Sequence, residues 1–67
     1  MTLPLATIER LMKQVGKIRV GADGAGEMQA ILDKKLASVT EKAAVLAKHA
    51  GRKTIKAEDV RLANEQL

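Results

Sequence analysis

The chain contains no cysteine and no aromatic residue, and it has one proline and one histidine among its 67 residues. Without cysteine there is no disulfide and no thiolate zinc site, and one histidine leaves little for any other metal, so we predict neither a metal nor a cofactor. No apolar run approaches the roughly 20 residues of a membrane-spanning helix, and the N-terminus has no signal-peptide pattern. We therefore expect a cytoplasmic protein with no membrane partner.

Charge is spread unevenly along the chain. The net charge is +4, which favours an anionic partner such as nucleic acid. Residues 1–21 carry four cations and one anion and residues 48–61 carry five and two, whereas residues 22–47 carry three and four. Two basic clusters therefore flank a middle segment that is close to neutral.

The spacing of apolar residues predicts an all-α protein. Apolar residues recur at intervals of three and four over residues 3–15, 28–50 and 57–66, which indicates a short, a long and a short helix. With 46% hydrophobic residues the chain is too apolar to be disordered, and its length suits one domain, residues 1–67. Two short helices cannot cover both ends of the apolar stripe on the long one. We therefore expect two chains to pair as an intertwined dimer.

Glycine and proline predict where the first two helices begin and end. Pro4 suits the first turn of the first helix and Gly16 its end, and the alternation over residues 17–20 predicts a short extended segment with both cations on one side. The start of the long helix has two interpretations. Either Asp23 caps it, which leaves the next two glycines inside the helix, or the helix begins near Gly26; in both cases we expect fraying of its first turns.

The segment HAGRKTIKAEDV, residues 49–60, combines a helix end, a basic segment and a helix start. Gly51 is the residue best able to adopt the left-handed conformation that closes a helix. The three cations that follow flank a β-branched pair, which favours an extended backbone. Asp59 falls at the third position of the last helix, where a carboxylate can accept backbone N–H groups and also reach Arg52.

This helix pattern and this segment, with the Leu3-Pro4 start and with Gly16 and Arg19 around the first loop, resemble an archaeal-type histone, the minimal histone fold without tails. The resemblance extends from Leu3 to Ala63. It implies a short helix, a loop, a long central helix, a loop and a short helix. It also implies a handshake homodimer in which the first loop of one chain lies beside the second loop of the other.

The resemblance assigns roles to individual residues. It implies duplex DNA contacts for Arg10, Lys13, Lys17, Arg19, Lys53, Thr54 and Lys56, with Arg19 in the minor groove. It implies a structural salt bridge between Arg52 and Asp59, and it implies that dimers join through Leu46, His49, Asp59 and Leu62. Gly16 matches a position where a small residue lets successive DNA turns stack, although a plain helix end explains it equally well.

The function implied is that of a chromosome-associated chromatin protein in the nucleoid. As a dimer it would bind double-stranded DNA largely without sequence specificity, bend, wrap and compact it, and join with other dimers into tetramers or longer assemblies. Two alternatives stay open: an interaction subunit that pairs with a paralogous histone and wraps little DNA, and a histone that bridges or straightens DNA. We expect no enzyme and no small-molecule substrate, because the sequence offers no catalytic constellation.

Overall fold

The computed structural model describes residues 2–67 and contains three α-helices: α1 (Leu5–Gly16), α2 (Ala22–His49) and α3 (Ala57–Glu65). No strand occurs within the described residues. The predicted all-α class and the short, long, short order of the helices are confirmed. The backbone divides into two compact units, the first ending at Lys34 and the second beginning at Lys35, and α2 contributes to both. That the chain forms one domain stays a prediction.

Helix α1 begins after Pro4, which was predicted to lie in its first turn, and it ends at Gly16, as predicted. Pro4 precedes the first helical residue as its N-cap, with extended φ and ψ of −61° and 119°. Gly16 is still helical, and the left-handed residue that ends the helix is Lys17, with φ 54° and ψ 39°. The predicted extended segment over residues 17–20 is therefore wrong at its first residue. The Lys17 N–H donates to the Lys13 carbonyl at 2.8 Å, which closes the helix.

Helix α2 begins at Ala22, earlier than either predicted start. The Ala25 N–H donates to the Gly21 carbonyl at 3.0 Å, so the helical pattern is already established there. Gly24 and Gly26 lie inside the helix, as the first of the two interpretations has it, and the start near Gly26 is wrong. Asp23 stands within the first turn, where its carboxylate accepts the N–H of Gly24 at 2.9 Å and suits the positive end of the helix dipole.

The turn after α2 agrees with the prediction for Gly51, which has a φ of +73°. The helix ends at His49, one residue earlier than predicted, and two hydrogen bonds close it. The N–H of Gly51 donates to the Lys48 carbonyl and the N–H of Arg52 to the Ala47 carbonyl, both at 2.9 Å. This is the Schellman arrangement, which satisfies carbonyls at a helix end. The second loop therefore leaves α2 in a fixed direction.

Four of the five buried apolar side chains among the described residues are alanine. In the first unit Ile8 and Ala25 are buried, and in the second the buried apolar side chains are Ala43, Ala47 and Ala63. Among the described residues, twelve large hydrophobic side chains stay exposed: Leu5, Leu11, Val15, Ile18, Ile31, Leu32, Leu36, Val45, Ile55, Val60, Leu62 and Leu67. Since burial of large apolar side chains is the main favourable term in folding, one chain leaves much of its potential stabilisation unused.

The segment before α1 is tied to α2 within the first unit. The Leu3 N–H donates to Asp33 Oδ1 at 2.9 Å, and the Leu3 carbonyl accepts from Gln29 Nε2 at 2.6 Å. Asp33 and Gln29 are four residues apart and so lie on one face of α2. Both backbone groups of Leu3 are satisfied in this way, which fixes how the chain enters α1 at Pro4.

Candidate nucleic-acid interface

Four predicted DNA contacts lie in the first unit, and all four side chains are exposed: Arg10 and Lys13 on α1, Lys17 and Arg19 in the loop that follows. They line two shallow hollows. One, of about 430 Å³, is lined by Ala6, Glu9, Arg10, Lys13 and Gln14. The other, of about 570 Å³, is lined by Lys13, Lys17, Ile18, Arg19 and Val20. Lys13 belongs to both hollows and so connects the basic face of α1 with the basic loop.

Lys13 forms an ion pair on this surface. Its Nζ lies 3.0 Å from Oε1 of Glu9, one helical turn earlier. This acid precedes the lysine by four residues, which is the favourable order on a helix. The pair makes Lys13 the one predicted DNA contact that takes part in an ion pair among residues 2–67.

The three other predicted DNA contacts, Lys53, Thr54 and Lys56, lie in the second loop and are also exposed. The loop runs between the Schellman turn of α2 and the first turn of α3. The Lys56 backbone serves as the N-cap of α3, with φ −111° and ψ 170°, while its side chain makes no capping hydrogen bond. A lysine side chain has no acceptor atom, so it cannot cap a helix start. The Lys56 ammonium is therefore available to an anion.

The second loop is braced from inside by Arg52, which makes four hydrogen bonds that we call the Arg52 brace. Nη1 donates to Asp59 Oδ2 at 2.6 Å and to the Thr54 carbonyl at 3.1 Å. Nη2 donates to Asp59 Oδ1 at 2.9 Å and to Glu58 Oε1 at 3.2 Å. The bidentate pair with Asp59 matches the planar fork of the guanidinium. The hydrogen bond to the Thr54 carbonyl fixes the loop backbone at Thr54, directly after Lys53.

Asp59 supplies the cap that Lys56 cannot. Its Oδ2 accepts the Lys56 N–H at 2.8 Å, which is the acidic half of a capping box. The hydrogen bond from Arg52, with that from Lys56, lowers the pKa of the Asp59 carboxyl to about 2 although desolvation opposes the shift. The same hydrogen bond with Asp59 raises the pKa of Arg52. Asp59 is 4% exposed and ionised, and it joins Arg52 and Lys56 of the second loop to the first turn of α3.

The residues predicted to join dimers lie in the second unit. Leu46 on α2 is half-buried, His49 at the end of α2 is exposed, and Leu62 on α3 is 42% exposed. Asp59 differs from these because its carboxylate already accepts three hydrogen bonds of the roughly four that its lone pairs allow. One acceptor site of Asp59, on Oδ1, is still open to a contact with another dimer.

Gly16 is not required by the conformation of α1. A Cβ built there would meet Ile18 Cγ2 at 3.4 Å, an ordinary contact, and the left-handed residue is its neighbour Lys17. Helix α1 does end at Gly16, as predicted, so the plain helix end and the stacking role both stay open. The residue is exposed.

Three contacts of these surfaces were not predicted from the sequence. The Glu9–Lys13 pair has a signal, because the two residues are four apart on a helix. The contact between Glu58 and Arg52 has a weaker signal in the sequence, since Glu58 adjoins Asp59. The tie between Leu3 and α2 joins residues 26 and 30 positions apart, and nothing in the local pattern predicts it.

Residues 2–67 show neither a metal cluster nor a helix suited to a membrane. His, Asp and Glu side chains of this part of the chain form no group of three or more that could hold a metal ion. None of its helices combines the length and the apolar character needed to cross a membrane.

The fold and the two basic surfaces agree with a family match that covers residues 1–63, described as histone-like transcription factor (CBF/NF-Y) and archaeal histone. The chain belongs to this family, and its fold is the all-α histone fold. It is therefore a member of a family of DNA-binding, histone-fold proteins and not an enzyme.

Three relatives indicate where in the family the chain lies. It is 49% identical over 61 residues to the A subunit of archaeal histone HAN1 from Thermococcus zilligii, which covers 91% of each chain. It is 38% identical over 61 residues to probable archaeal histone 3 of Methanocaldococcus jannaschii, again 91% of each. It is 36% identical over 64 residues to DNA-binding protein HmvA of the same organism, covering 96% of this chain and 67% of the relative.

Proposed function

We propose that the protein is an architectural chromatin protein that binds duplex DNA as a homodimer, bends and wraps it, and compacts the chromosome. One observation carries this proposal. All seven side chains expected to contact DNA are exposed, whereas the remaining cation of the second loop, Arg52, is occupied by the Arg52 brace. Of the six cations among these seven residues, only Lys13 forms an ion pair within residues 2–67.

The homodimer is supported by the apolar side chains that one chain leaves uncovered. In the first unit Ile8, Leu11, Met12, Val15, Gly16, Met28 and Leu32 line an apolar groove of about 370 Å³. A second chain that fills such a groove would supply the large buried side chains that a single chain lacks. In a handshake arrangement it would also place the first loop of one chain beside the second loop of the other.

Binding in this proposal depends on phosphate neutralisation. Each phosphate that a lysine or arginine neutralises releases counterions, so affinity falls steeply with salt. Arg19 would enter the minor groove, and the neighbouring cations would contact the backbone, which gives little sequence specificity. No aromatic side chain is needed, because a wrapped duplex offers no unstacked base.

Larger assemblies would form through Leu46, His49 and Leu62, with the open acceptor site of Asp59 as a further contact. Gly16 would let successive turns of wrapped DNA approach each other, in keeping with its small size and its exposure.

The DNA contacts are tested by the salt dependence of binding to a duplex of mixed sequence. Arg19→Ala should weaken binding across unrelated sequences and reduce the slope of log affinity against log salt by about 0.9 for each phosphate that is no longer neutralised. Arg61→Ala is the matched control, because Arg61 is an exposed arginine on α3 outside the proposed contacts. Equal slopes for the two variants would count against a DNA role for Arg19.

Wrapping is tested by nuclease digestion of the complex at increasing protein loading. Protected lengths should grow in regular increments as dimers are added, and His49→Ala should leave the shortest length and remove the longer ones. Protection without increments would favour bridging or straightening of DNA.

A heteromeric partner is the second candidate, since exposed apolar side chains fit a paralogous chain as well as a second copy, and one relative is named as one subunit of a histone. Sedimentation of the purified chain distinguishes the two. A folded dimer of this chain alone supports the homodimer, whereas an unfolded or monomeric chain that folds only with a paralogue supports the alternative.

A further inference from the structure

We propose that Glu9 limits the affinity of this protein for DNA by holding Lys13 in an ion pair that a phosphate must displace. This inference rests on the proposed DNA-binding function, and it assigns a role to a residue outside the proposed DNA contacts.

The geometry of the pair suits an exchange of partners. The Lys13 ammonium lies 3.0 Å from the Glu9 carboxylate, and the side chains are 50% and 35% exposed. Ion pairs in water are weak and open readily, because solvent and salt screen them. A phosphate oxygen can therefore replace Glu9 as the partner of Lys13 without any change in α1.

The position of Glu9 explains why the ion pair would affect the binding of DNA. The two basic hollows of the first unit meet at Lys13, and Glu9 is the one carboxylate among the described residues that line them. It is also the one acidic residue of the segment 1–21, against four cations. When Lys13 turns to a phosphate, Glu9 is left unpaired beside the DNA backbone and repels it. The net attraction of this surface is therefore lower than its count of cations suggests.

The exposed acid of another ion pair, Glu58, provides a contrast. Glu58 is 65% exposed and contacts Arg52, which is held by Asp59 and has no proposed DNA contact. Of the three ion pairs among residues 2–67, only the pair of Glu9 includes a side chain proposed to contact DNA. Loss of Glu9 should accordingly change the affinity for DNA more than loss of Glu58.

The test is the salt dependence of binding to a mixed-sequence duplex for the full chain and two variants. Glu9→Gln should bind more tightly, by about threefold to tenfold near 0.15 M salt, because Lys13 no longer has to leave a carboxylate before it contacts phosphate and no acid is left beside the DNA backbone. Glu27→Gln is the matched control. Glu27 is an exposed acid on α2 in the same unit, in none of the three ion pairs, and its loss changes the net charge equally. Equal changes in the two variants would overturn the proposal.

A double-mutant cycle with Lys13→Gln separates the ion pair from general repulsion. Lys13→Gln should weaken binding more in the Glu9→Gln background than in the original chain, because in the original chain part of the attraction between Lys13 and phosphate is offset by the loss of its pair with Glu9. Additive effects would overturn the role of the pair. Circular dichroism of each variant checks that α1 is intact, and failure of the original chain to bind DNA would instead refute the proposed function.

Discussion

The first loop, residues 17–21, and the second loop, residues 50–56, carry the same proposed task and are built in different ways. The second is closed by the Schellman hydrogen bonds of α2 and by the Arg52 brace. In the first, no side-chain hydrogen bond involves a loop residue within the described chain, and the left-handed position is occupied by Lys17 instead of glycine. One loop is ordered by its own side chains, the other by its backbone.

We infer from this difference that the second loop is held in place within one chain, whereas the first loop has no comparable side-chain support. The second loop presents Lys53 and Thr54 on a backbone already fixed by Arg52, so binding requires little further ordering of that loop. The first loop presents Lys17 and Arg19 without side-chain hydrogen bonds of this kind, so we expect a partner chain or DNA to add to the order that its backbone provides. Ordering on binding lowers affinity, and a site ordered in advance avoids that loss.

The largest expected effect comes from removing the brace, which would leave the second loop as unsupported as the first. Asp59→Ala removes both carboxylate bonds to Arg52 and the cap of α3, and it leaves a guanidinium that is 23% exposed without its main partner. We expect Tm to fall by on the order of 10 °C at fixed protein concentration. Calorimetry of the original chain and of Asp59→Ala measures this change in Tm.

Asp23→Ala is the control for this prediction, because Asp23 also lies in a first turn but bonds only to the N–H of the next residue and is exposed. Its Tm should change by about 2 °C or less. A comparable fall in both variants would show that the brace does not distinguish the second loop.

The next effect is the pH dependence of the same brace. The pKa of Asp59 is about 2 in the folded chain, below its ordinary value of 3.8. The folded state binds this proton less readily than the unfolded state. The contribution of the ionised Asp59 carboxylate to the free energy of unfolding is therefore fully present above pH 3.8 and is lost as the pH falls toward 2. Thermal unfolding between pH 6 and pH 1.5 should show this loss for the original chain.

Asp59→Asn isolates the effect from the other carboxylates, which protonate in the same range. The difference in Tm between the original chain and this variant should shrink as the pH falls from about 4 to about 2. A difference that stays constant over this range would mean that the charge of Asp59 does not stabilise the second loop.

The sequence predicted the second loop better than the first because its interactions are local. Gly51 had to be left-handed to end α2, and Asp59 stands at the third position of α3, within reach of Arg52 seven residues earlier. At the first loop Gly16 ends α1 as predicted, but it is not the left-handed residue. Gly16 is helical and Lys17 takes the left-handed conformation, which a lysine adopts at a cost that local propensity does not anticipate.

The start of α2 was harder to predict for a related reason. Interior glycines weaken a helix, yet Gly24 and Gly26 are helical, since a few hydrogen-bonded turns of a long helix tolerate about 1 kcal/mol each. The tie between Leu3 and Asp33 could not be predicted at all, because it depends on how the first unit folds. Which exposed side chains touch DNA is likewise a property of the assembly, and that part of the site stays a prediction.

The smallest expected effects come from exchanging the left-handed residues of the two loops. Gly51→Ala should lower the free energy of unfolding by about 1 kcal/mol, because alanine is strained at φ +73° although a Cβ there would meet nothing within 4 Å. Lys17→Gly should raise it by less than about 1 kcal/mol, since relief at φ 54° is partly offset by the freedom of glycine in the unfolded chain. Urea unfolding at one protein concentration measures both. Because Lys17→Gly also removes a proposed phosphate contact, its DNA affinity should fall while its stability does not. A variant that lost stability and affinity together would show that the first loop is held by its lysine in a way its backbone geometry does not explain.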